Sequence, residues 1–222
     1  MLNIDKPLEW TSTDVVRKVV VMLRRAGHRK IKVGHAGTLD PLATGVLLVC
    51  IGKATKRVEE LQAGEKEYVA GIRLGATTAS GDLEHEIDRE YPFEHITEEQ
   101  VREALRSLEG ERLQAPPLYS AKKVDGQRAY EIAREGEQVE LRKALINIKQ
   151  AELLGYDPPH ALVRIVCGKG TYIRSLAIEL GEALGSGGHL TGLRRTRSGE
   201  YRADEAFSIE EIEIFFNTLK QK

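Results

Sequence analysis

The 222-residue chain has 33 Lys and Arg residues against 34 Asp and Glu, so its formal net charge is only −1. Hydrophobic residues make up 41% of it and charged residues 30%, which is typical of one folded domain. No apolar run approaches the roughly 18 residues of a membrane span, and no signal peptide is expected. The cysteines and histidines lack metal-ligand spacing. We therefore expect a cytoplasmic protein without a structural metal, in which Cys50 and Cys167 are buried core thiols.

The charges are unevenly distributed along the chain. Seven basic residues and no acid lie between residues 17 and 32, whereas residues 82–111 are strongly acidic. A second basic group near the end contains Arg194, Arg195, Arg197 and Arg202. This polarity fits a protein that turns one surface toward nucleic-acid phosphates. A solvated helix face explains the first group equally well.

Apolar periodicity and chain breakers predict helices and strands in an irregular order. Five helices are predicted. The first begins at a cap on Ser12 or Thr13 and stops at Gly27, and the third opens with a Thr97–Gln100 capping box and ends at Gly110. The other three span Lys53–Gln62, Thr171–Leu184 and Ser208–Leu219. The predicted strands are Val46–Ile51, Glu65–Leu74, Val139–Leu154 and Ala161–Cys167. A helical turn at Ala129–Arg134 is predicted inside a loop-rich section. The irregular alternation favours an α+β fold with a mixed sheet over a βαβ series.

One acid stands out in the segment VGHAGTLDPLATGVL (Val33–Leu47). Gly34 and Gly37 can adopt positive φ and allow a ligand to approach the backbone. Pro41 restricts Asp40 to extended conformations. Asp40 is therefore either a catalytic acid presented to a large substrate or an ordinary turn residue before a strand.

Four separated motifs resemble those of the TruB family of pseudouridine synthases. They are Asp5-Lys6-Pro7 before a capped helix, the segment Val33–Lys56 around Asp40, Ala115–Ala121, and Cys167–Gly185 followed by Leu193-Arg194-Arg195. The resemblance covers residues 2 to about 207. Within it, Leu42–Gly45 is closer to the tRNA-modifying branch than to the guide-RNA-dependent branch.

The resemblance implies a fold and a division of the chain. The fold is α+β, with a mixed, largely antiparallel sheet flanked by helices. Residues 1–205 would form the catalytic domain, with an RNA-gripping insertion at residues 116–140. Residues 206–222 would add a C-terminal helix in place of a complete second RNA-binding domain.

The resemblance also implies the reaction. A uridine in the T-loop of tRNA, at position 55 in tRNA numbering, is detached from its ribose, turned, and rejoined through carbon 5. The target base leaves its stack before the chemistry. The implied partner is the T-arm of tRNA. No cofactor, metal, membrane or protein partner is implied, and we expect a monomer.

Three residues match the catalytic residues of the family. Asp40 matches the nucleophilic aspartate, which attacks either the ribose or the base. Tyr68 matches a tyrosine that stacks on the target base and assists proton removal. Arg174 matches the arginine that pairs with the catalytic aspartate. Taken alone, Tyr68 is an ordinary strand tyrosine, whereas Arg174 fits an exposed helix arginine and a partner of the acid equally well.

The remaining matches concern RNA and base binding. His35 matches a histidine that fills the space left by the displaced base, and Leu193 matches an apolar residue of the uracil pocket. Lys6 and Lys169 match basic residues near the site, with phosphate contact or loop support as their roles. Tyr172, two residues before Arg174, is assigned to the same group. Read alone, the lysines are solvated turn residues.

Two other functions remain compatible with the residues themselves. One is an RNA-binding or RNA-folding protein that grips and releases tRNA with or without catalysis. The other is a phosphate-loop enzyme built on Gly168–Thr171, although this segment lacks the earlier glycine of a P-loop.

Overall fold

The computed structural model describes residues 1–117, 119, 123, 124, 127, 128 and 142–219. Its helices are α1 (Ser12–Arg25), α2 (Val58–Ala63), α3 (Glu98–Ser107), α4 (Ile173–Ala183) and α5 (Ile209–Leu219). Its strands are β1 (Leu2–Lys6), β2 (Val33–Ala36), β3 (Ala43–Ile51), β4 (Lys66–Leu74), β5 (Ala76–Thr78), β6 (Ile87–Glu90), β7 (Gly110–Gln114), β8 (Lys123–Val124), β9 (Gln127–Arg128), β10 (Ala144–Asp157), β11 (His160–Cys167), β12 (Gly188–Ser198) and β13 (Tyr201–Arg202). The predicted α+β class with a mixed, largely antiparallel sheet is confirmed.

Contacts divide the chain into two compact units, residues 1–68 with 193–222 and residues 69–192. The two boundaries between these units fall within β4 and within β12. The division predicted at residue 205 stays a prediction. Most of the insertion predicted at residues 116–140, including its helical turn, lies outside the described residues; the described part contains the antiparallel pair β8–β9.

The first unit is organised around β3. This strand pairs antiparallel with β1 and β2, and in parallel with β12. Leu47 and Val49 pack into a core with residues of α1, β1 and α5, whereas Val46 and Leu48 pack into a second core toward α2. Because both faces of β3 are covered, its sequence is a continuous apolar run without alternation.

The second unit contains the strand order β4–β11–β10–β7, and the pairs β10–β11 and β10–β7 are antiparallel. Helix α3 packs against β10 and α4. Ala70, Ile72 and Leu74 are buried along β4 while the residues between them are partly exposed. The predicted alternation of this strand is confirmed.

Two predicted helix ends differ from the structure. The cap of α1 is Thr11, not Ser12 or Thr13, because Thr11 and Asp14 form a reciprocal capping box. The capping box of α3 is confirmed, but this helix ends at Ser107, since β7 already begins at Gly110. The positive φ of Gly27 follows the end of α1, as predicted.

Among the described residues, no helix is long and apolar enough to cross a bilayer, and no cluster of His, Cys, Asp and Glu side chains is suited to a metal ion. Cys50 and Cys167 are buried thiols, as predicted, and neither is joined in a disulfide.

Candidate active site

Asp40 lies in the turn that joins β2 to β3 in the first unit, and it is half-buried. Its carbonyl accepts a hydrogen bond from the Ala43 N–H at 3.0 Å, which closes the turn into β3. Gly37 adopts φ +96°, as expected for the approach to this turn. Gly34 does not adopt a positive φ, because it lies within β2, opposite Cys50, and its predicted role in ligand approach stays a prediction.

Lys6 supports the turn from the end of β1. Its side chain is fully buried, and the ammonium donates to the carbonyls of Pro7, Trp10 and Pro41 at 2.8, 2.5 and 3.2 Å. The three N–H donors are therefore directed at three backbone acceptors. Of the two predicted roles of Lys6, this geometry favours loop support over phosphate contact.

The buried ammonium of Lys6 has an altered acidity. Burial lowers its pKa from the ordinary 10.5 to about 8; the Asp40 carboxylate acts in the opposite direction, and the Arg195 guanidinium lowers the pKa further. Asp40, Lys6 and Arg195 therefore interact electrostatically around one turn.

The Lys6 pKa predicts a pH dependence of stability. Between pH 8 and 10.5 the unfolded chain retains a proton on Lys6 that the folded chain has released. Stability from this group therefore rises with pH across that window, by at most about 1.4 kcal/mol per pH unit, and is lost as pH falls through 8. Urea unfolding of the wild type and of Lys6→Met at several pH values measures this effect. The unfolding free energy of the wild type, relative to that of the variant, should increase as pH rises. Parallel pH profiles would contradict the assignment.

Leu193 is brought next to the turn by the sheet. It pairs in register with Ala43, the first residue of β3, and its side chain is partly exposed. Tyr68 lies in β4 with its side chain 8% exposed, on the face that also carries Ala70. The roles predicted for Leu193 and Tyr68 stay predictions.

His35 lies in β2, opposite Val49 and five residues before Asp40. Burial lowers the pKa of its imidazole, and the positive charge of Arg195 lowers it further. A neutral, partly exposed ring can pack against a base without the cost of desolvating a charge. Its predicted role in the gap left by the displaced base stays a prediction.

Arg174 lies in the first turn of α4, in the second unit. Its Nε is 3.6 Å from Oδ2 of Asp82, and its side chain is 4% exposed against 8% for Asp82. It also donates to the carbonyls of Ser80 at 3.1 Å and Tyr119 at 2.9 Å. The alternative of an exposed helix arginine is therefore wrong. The pair predicted with Asp40 stays a prediction, and Asp82 is a partner that sequence reasoning missed.

Tyr172 and Lys169 lie just before α4. The side-chain amide of the buried Gln114 accepts from the Tyr172 N–H at 2.8 Å and donates to the Tyr172 carbonyl at 3.2 Å. The start of α4 is therefore attached to β7. Lys169 is exposed, so its ammonium is accessible to an anionic ligand.

The comparisons with known proteins place the chain among the pseudouridine synthases. A family model described as the N-terminal domain of TruB family pseudouridylate synthase matches residues 24–173, and one described as the tRNA pseudouridylate synthase B C-terminal domain matches residues 174–222. The chain belongs to the TruB family. This membership displaces the interpretation of Gly168–Thr171 as the phosphate loop of another enzyme class.

Curated relatives agree with the family models. The tRNA pseudouridine synthase B of Phocaeicola vulgatus is 57% identical over 95% of this chain and 90% of the relative. The protein of the same name from Parabacteroides distasonis is 56% identical over 97% of this chain and 92% of the relative. These matches span nearly the whole of each relative.

A solved structure shares the fold. The chain resembles one described as a Cbf5–Nop10–Gar1 complex, with a TM-score of 0.76 and 32% identity over 99% of this chain. Our chain spans 55% of that structure's chain. The sequence identity to the curated tRNA pseudouridine synthases is much higher than the identity to this structure. This difference agrees with the resemblance of Leu42–Gly45 to the tRNA-modifying branch.

Proposed function

We propose that Asp40 is the nucleophile with which this chain isomerises the uridine at position 55, in the T-loop of tRNA. Conversion of uridine to pseudouridine in tRNA follows from the family and from the names of its close relatives, and it makes the chain an isomerase. The assignment of Asp40 as the nucleophile and of position 55 as the target goes beyond what these names state. The choice of Asp40 is supported by its placement on a braced turn, which follows the strand that carries His35 and precedes Ala43, the residue that pairs with Leu193. The choice of position 55 rests on the resemblance of Leu42–Gly45 to the tRNA-modifying branch.

The chemistry needs one carboxylate and no redox step. Asp40 attacks either C1′ of the ribose or the uracil ring, and the N1–C1′ glycosidic bond breaks. The uracil turns so that C5 bonds to C1′, the proton on C5 is lost, and the carboxylate is released unchanged. The product has the same atoms as the substrate, apart from exchange of protons with water. No external oxidant, reductant or group donor is therefore required.

The other residues have supporting roles in this proposal. Tyr68 stacks on the extruded base and assists loss of the C5 proton, while Arg174 supplies positive charge to the nucleophile. Lys169 contacts RNA phosphate, and Tyr172 contributes to base binding. The active species is a cytoplasmic monomer that works without a cofactor or a protein partner.

The proposed position can be tested with a T-arm stem-loop RNA. The purified chain should form one pseudouridine per RNA when uridine occupies position 55, and none when cytidine replaces it. Nucleoside chromatography after complete digestion measures both. Equal pseudouridine formation in the two RNAs would refute the assigned position and leave the isomerase activity standing.

The basic segment after α1 is the part of the first unit best suited to phosphate. Lys18 and Arg25 both pair with Glu213 of α5, at 2.8 and 3.5 Å. Arg29, Lys30 and Lys32 are exposed, and the described residues provide them with no ion-pair partner. The structure therefore narrows the basic group noted in the sequence to this loop and to Arg24 in the last turn of α1, which is also exposed.

Replacing Arg29, Lys30 and Lys32 by alanine should weaken T-arm RNA binding. Each lost phosphate contact should lower the slope of log affinity against log salt by about one. Fluorescence anisotropy over a salt series measures this. Arg57→Ala is the matched control, because Arg57 is exposed but already paired with Glu60. An unchanged slope in the triple variant would remove the segment from the RNA interface.

A further inference from the structure

The turn that carries Asp40 is attached to the rest of the first unit by two buried side chains far from it in sequence. Ser12 belongs to the first turn of α1, and Arg195 to β12. Neither is exposed enough to meet an RNA molecule, since they are 2% and 1% accessible. Any influence they have on the reaction must therefore pass through the protein.

Ser12 binds both polar backbone groups of Leu39, the residue before Asp40. Its hydroxyl accepts from the Leu39 N–H at 2.8 Å and donates to the Leu39 carbonyl at 3.0 Å. A hydroxyl can donate and accept through one atom, which an alanine methyl cannot do. Because the Leu39 carbonyl belongs to the peptide group that joins Leu39 to Asp40, its direction fixes one side of the Asp40 Cα.

Arg195 binds the carbonyls of the two residues before Leu39. Its guanidinium donates to the carbonyls of Gly37 at 3.0 Å and Thr38 at 3.4 Å, and through Nε to the carbonyl of Val46 at 2.7 Å. Burial of a guanidinium is costly unless its charge and N–H groups are satisfied. The described part of the chain gives Arg195 no carboxylate within ion-pair distance. Backbone carbonyls of the turn and of β3 therefore account for its burial.

Backbone packing secures the position of Arg195 itself. Gly45 adopts φ +99°, and a Cβ added there would lie 2.2 Å from the Arg195 carbonyl oxygen. Any side chain at residue 45 would separate β3 from β12 at the point where Arg195 reaches toward the turn. The close approach of β3 to β12 and the hydrogen bonds of the Arg195 guanidinium are thus parts of the same contact between these strands and the turn.

We propose that Ser12 and Arg195 are positioning residues that aim the Asp40 carboxylate at the target uridine. Together they fix three consecutive peptide groups, 37–38, 38–39 and 39–40, which lead into the acid. The inference rests on the proposed role of Asp40 as nucleophile. A displacement of about 1 Å at a reacting group can cost about a hundredfold in rate. Loosening these peptides should therefore slow the chemical step without weakening RNA binding.

The test is a set of single-turnover measurements on T-arm RNA. Ser12→Ala should lower the rate of the chemical step by about ten- to a hundredfold, with the RNA dissociation constant unchanged. Ser12→Thr keeps the hydroxyl and should recover most of the loss. Arg195→Lys keeps the charge but cannot reach Gly37, Thr38 and Val46 together, so it should also lower the rate and leave RNA affinity unchanged.

Ser198→Ala is the matched control. Ser198 is a buried serine of the same strand as Arg195, and the described residues offer its hydroxyl no hydrogen-bond partner. This variant should keep the wild-type rate. Full activity of both Ser12→Ala and Arg195→Lys would overturn the proposal, and so would equal losses in Ser12→Ala and Ser198→Ala. If Ser12→Ala does not fold, the rates of Arg195→Lys and Ser12→Thr decide. Activity of Asp40→Asn would refute the nucleophile assignment instead, so the two failures are distinguishable.

Discussion

Replacing Asp40 by asparagine should abolish pseudouridine formation while T-arm RNA binding persists. Asparagine has nearly the same shape, so the braced turn between β2 and β3 can accommodate it. The amide is a much poorer nucleophile than a carboxylate, and removal of a catalytic nucleophile typically costs about 10⁴-fold or more in turnover. Nucleoside chromatography measures the product, and filter binding of the same RNA measures affinity.

A matched acid outside the site controls for the loss of a charge. Asp204 is exposed and pairs with Arg202 near the surface, so Asp204→Asn should leave turnover at the wild-type level. Turnover by Asp40→Asn at the rate of Asp204→Asn would sink the nucleophile assignment. Loss of RNA binding in Asp40→Asn would mean that the acid is needed for the turn or the interface, and not only for chemistry.

Replacing Arg174 by alanine should lower both stability and turnover. The buried Asp82 would lose its ion-pair partner, and the carbonyls of Ser80 and Tyr119 would lose hydrogen bonds. Removing one partner of a buried pair costs about 3–5 kcal/mol. Urea unfolding gives the stability change. Turnover measured at a temperature where the variant is still folded tests the proposed role of Arg174 toward Asp40 separately.

A partly exposed pair in the same unit provides the comparison. Arg164 lies 2.6 Å from Glu152, with side chains 35% and 43% exposed. Arg164→Ala should cost no more than about 1 kcal/mol, because ion pairs that water can reach are screened and contribute little. A double-mutant cycle of Arg174→Ala with Asp82→Asn then isolates the pair, and a coupling near zero would contradict the buried-pair account.

Features that depend on local pattern were readable from the sequence. The apolar run of β3 and the alternation in β4 reflect which faces are covered, and both sets of positions are buried as predicted. The capping box of α3 was equally local. The cap of α1 was wrong because Thr11, Ser12 and Thr13 are all possible caps, and it is the carboxylate of Asp14 that selects Thr11.

Features that depend on distant partners were not readable. Strand β12 has a polar sequence with two glycines, and its pairing with β3 at Leu193 and Ala43 depends on residues 150 positions away. Asp82 is one acid among many in an acidic stretch, so nothing local marked it as the partner of Arg174. Ser12 has the local signature of a helix cap, whereas its bond to Leu39 spans 27 residues and leaves no local signature.

The site itself divides in the same way. The motif around Asp40 was identifiable because its glycines and proline act within a few residues. The charges and hydrogen bonds that hold this turn come from β1, α1 and β12, and only the folded unit brings them together. Asp40 was thus accessible to sequence reasoning, whereas the bracing by Ser12 and Arg195 was not.

A T-arm RNA that carries tritium only at carbon 5 of uridine 55 reports directly whether Asp40 drives the isomerisation. Incubation with the purified chain, in the presence of a metal chelator and without added cofactor, should release one tritium per RNA to water. We expect complete release by the wild type and none by Asp40→Asn at equal RNA occupancy. Retention of the label by a wild-type chain that binds the RNA would contradict this expectation.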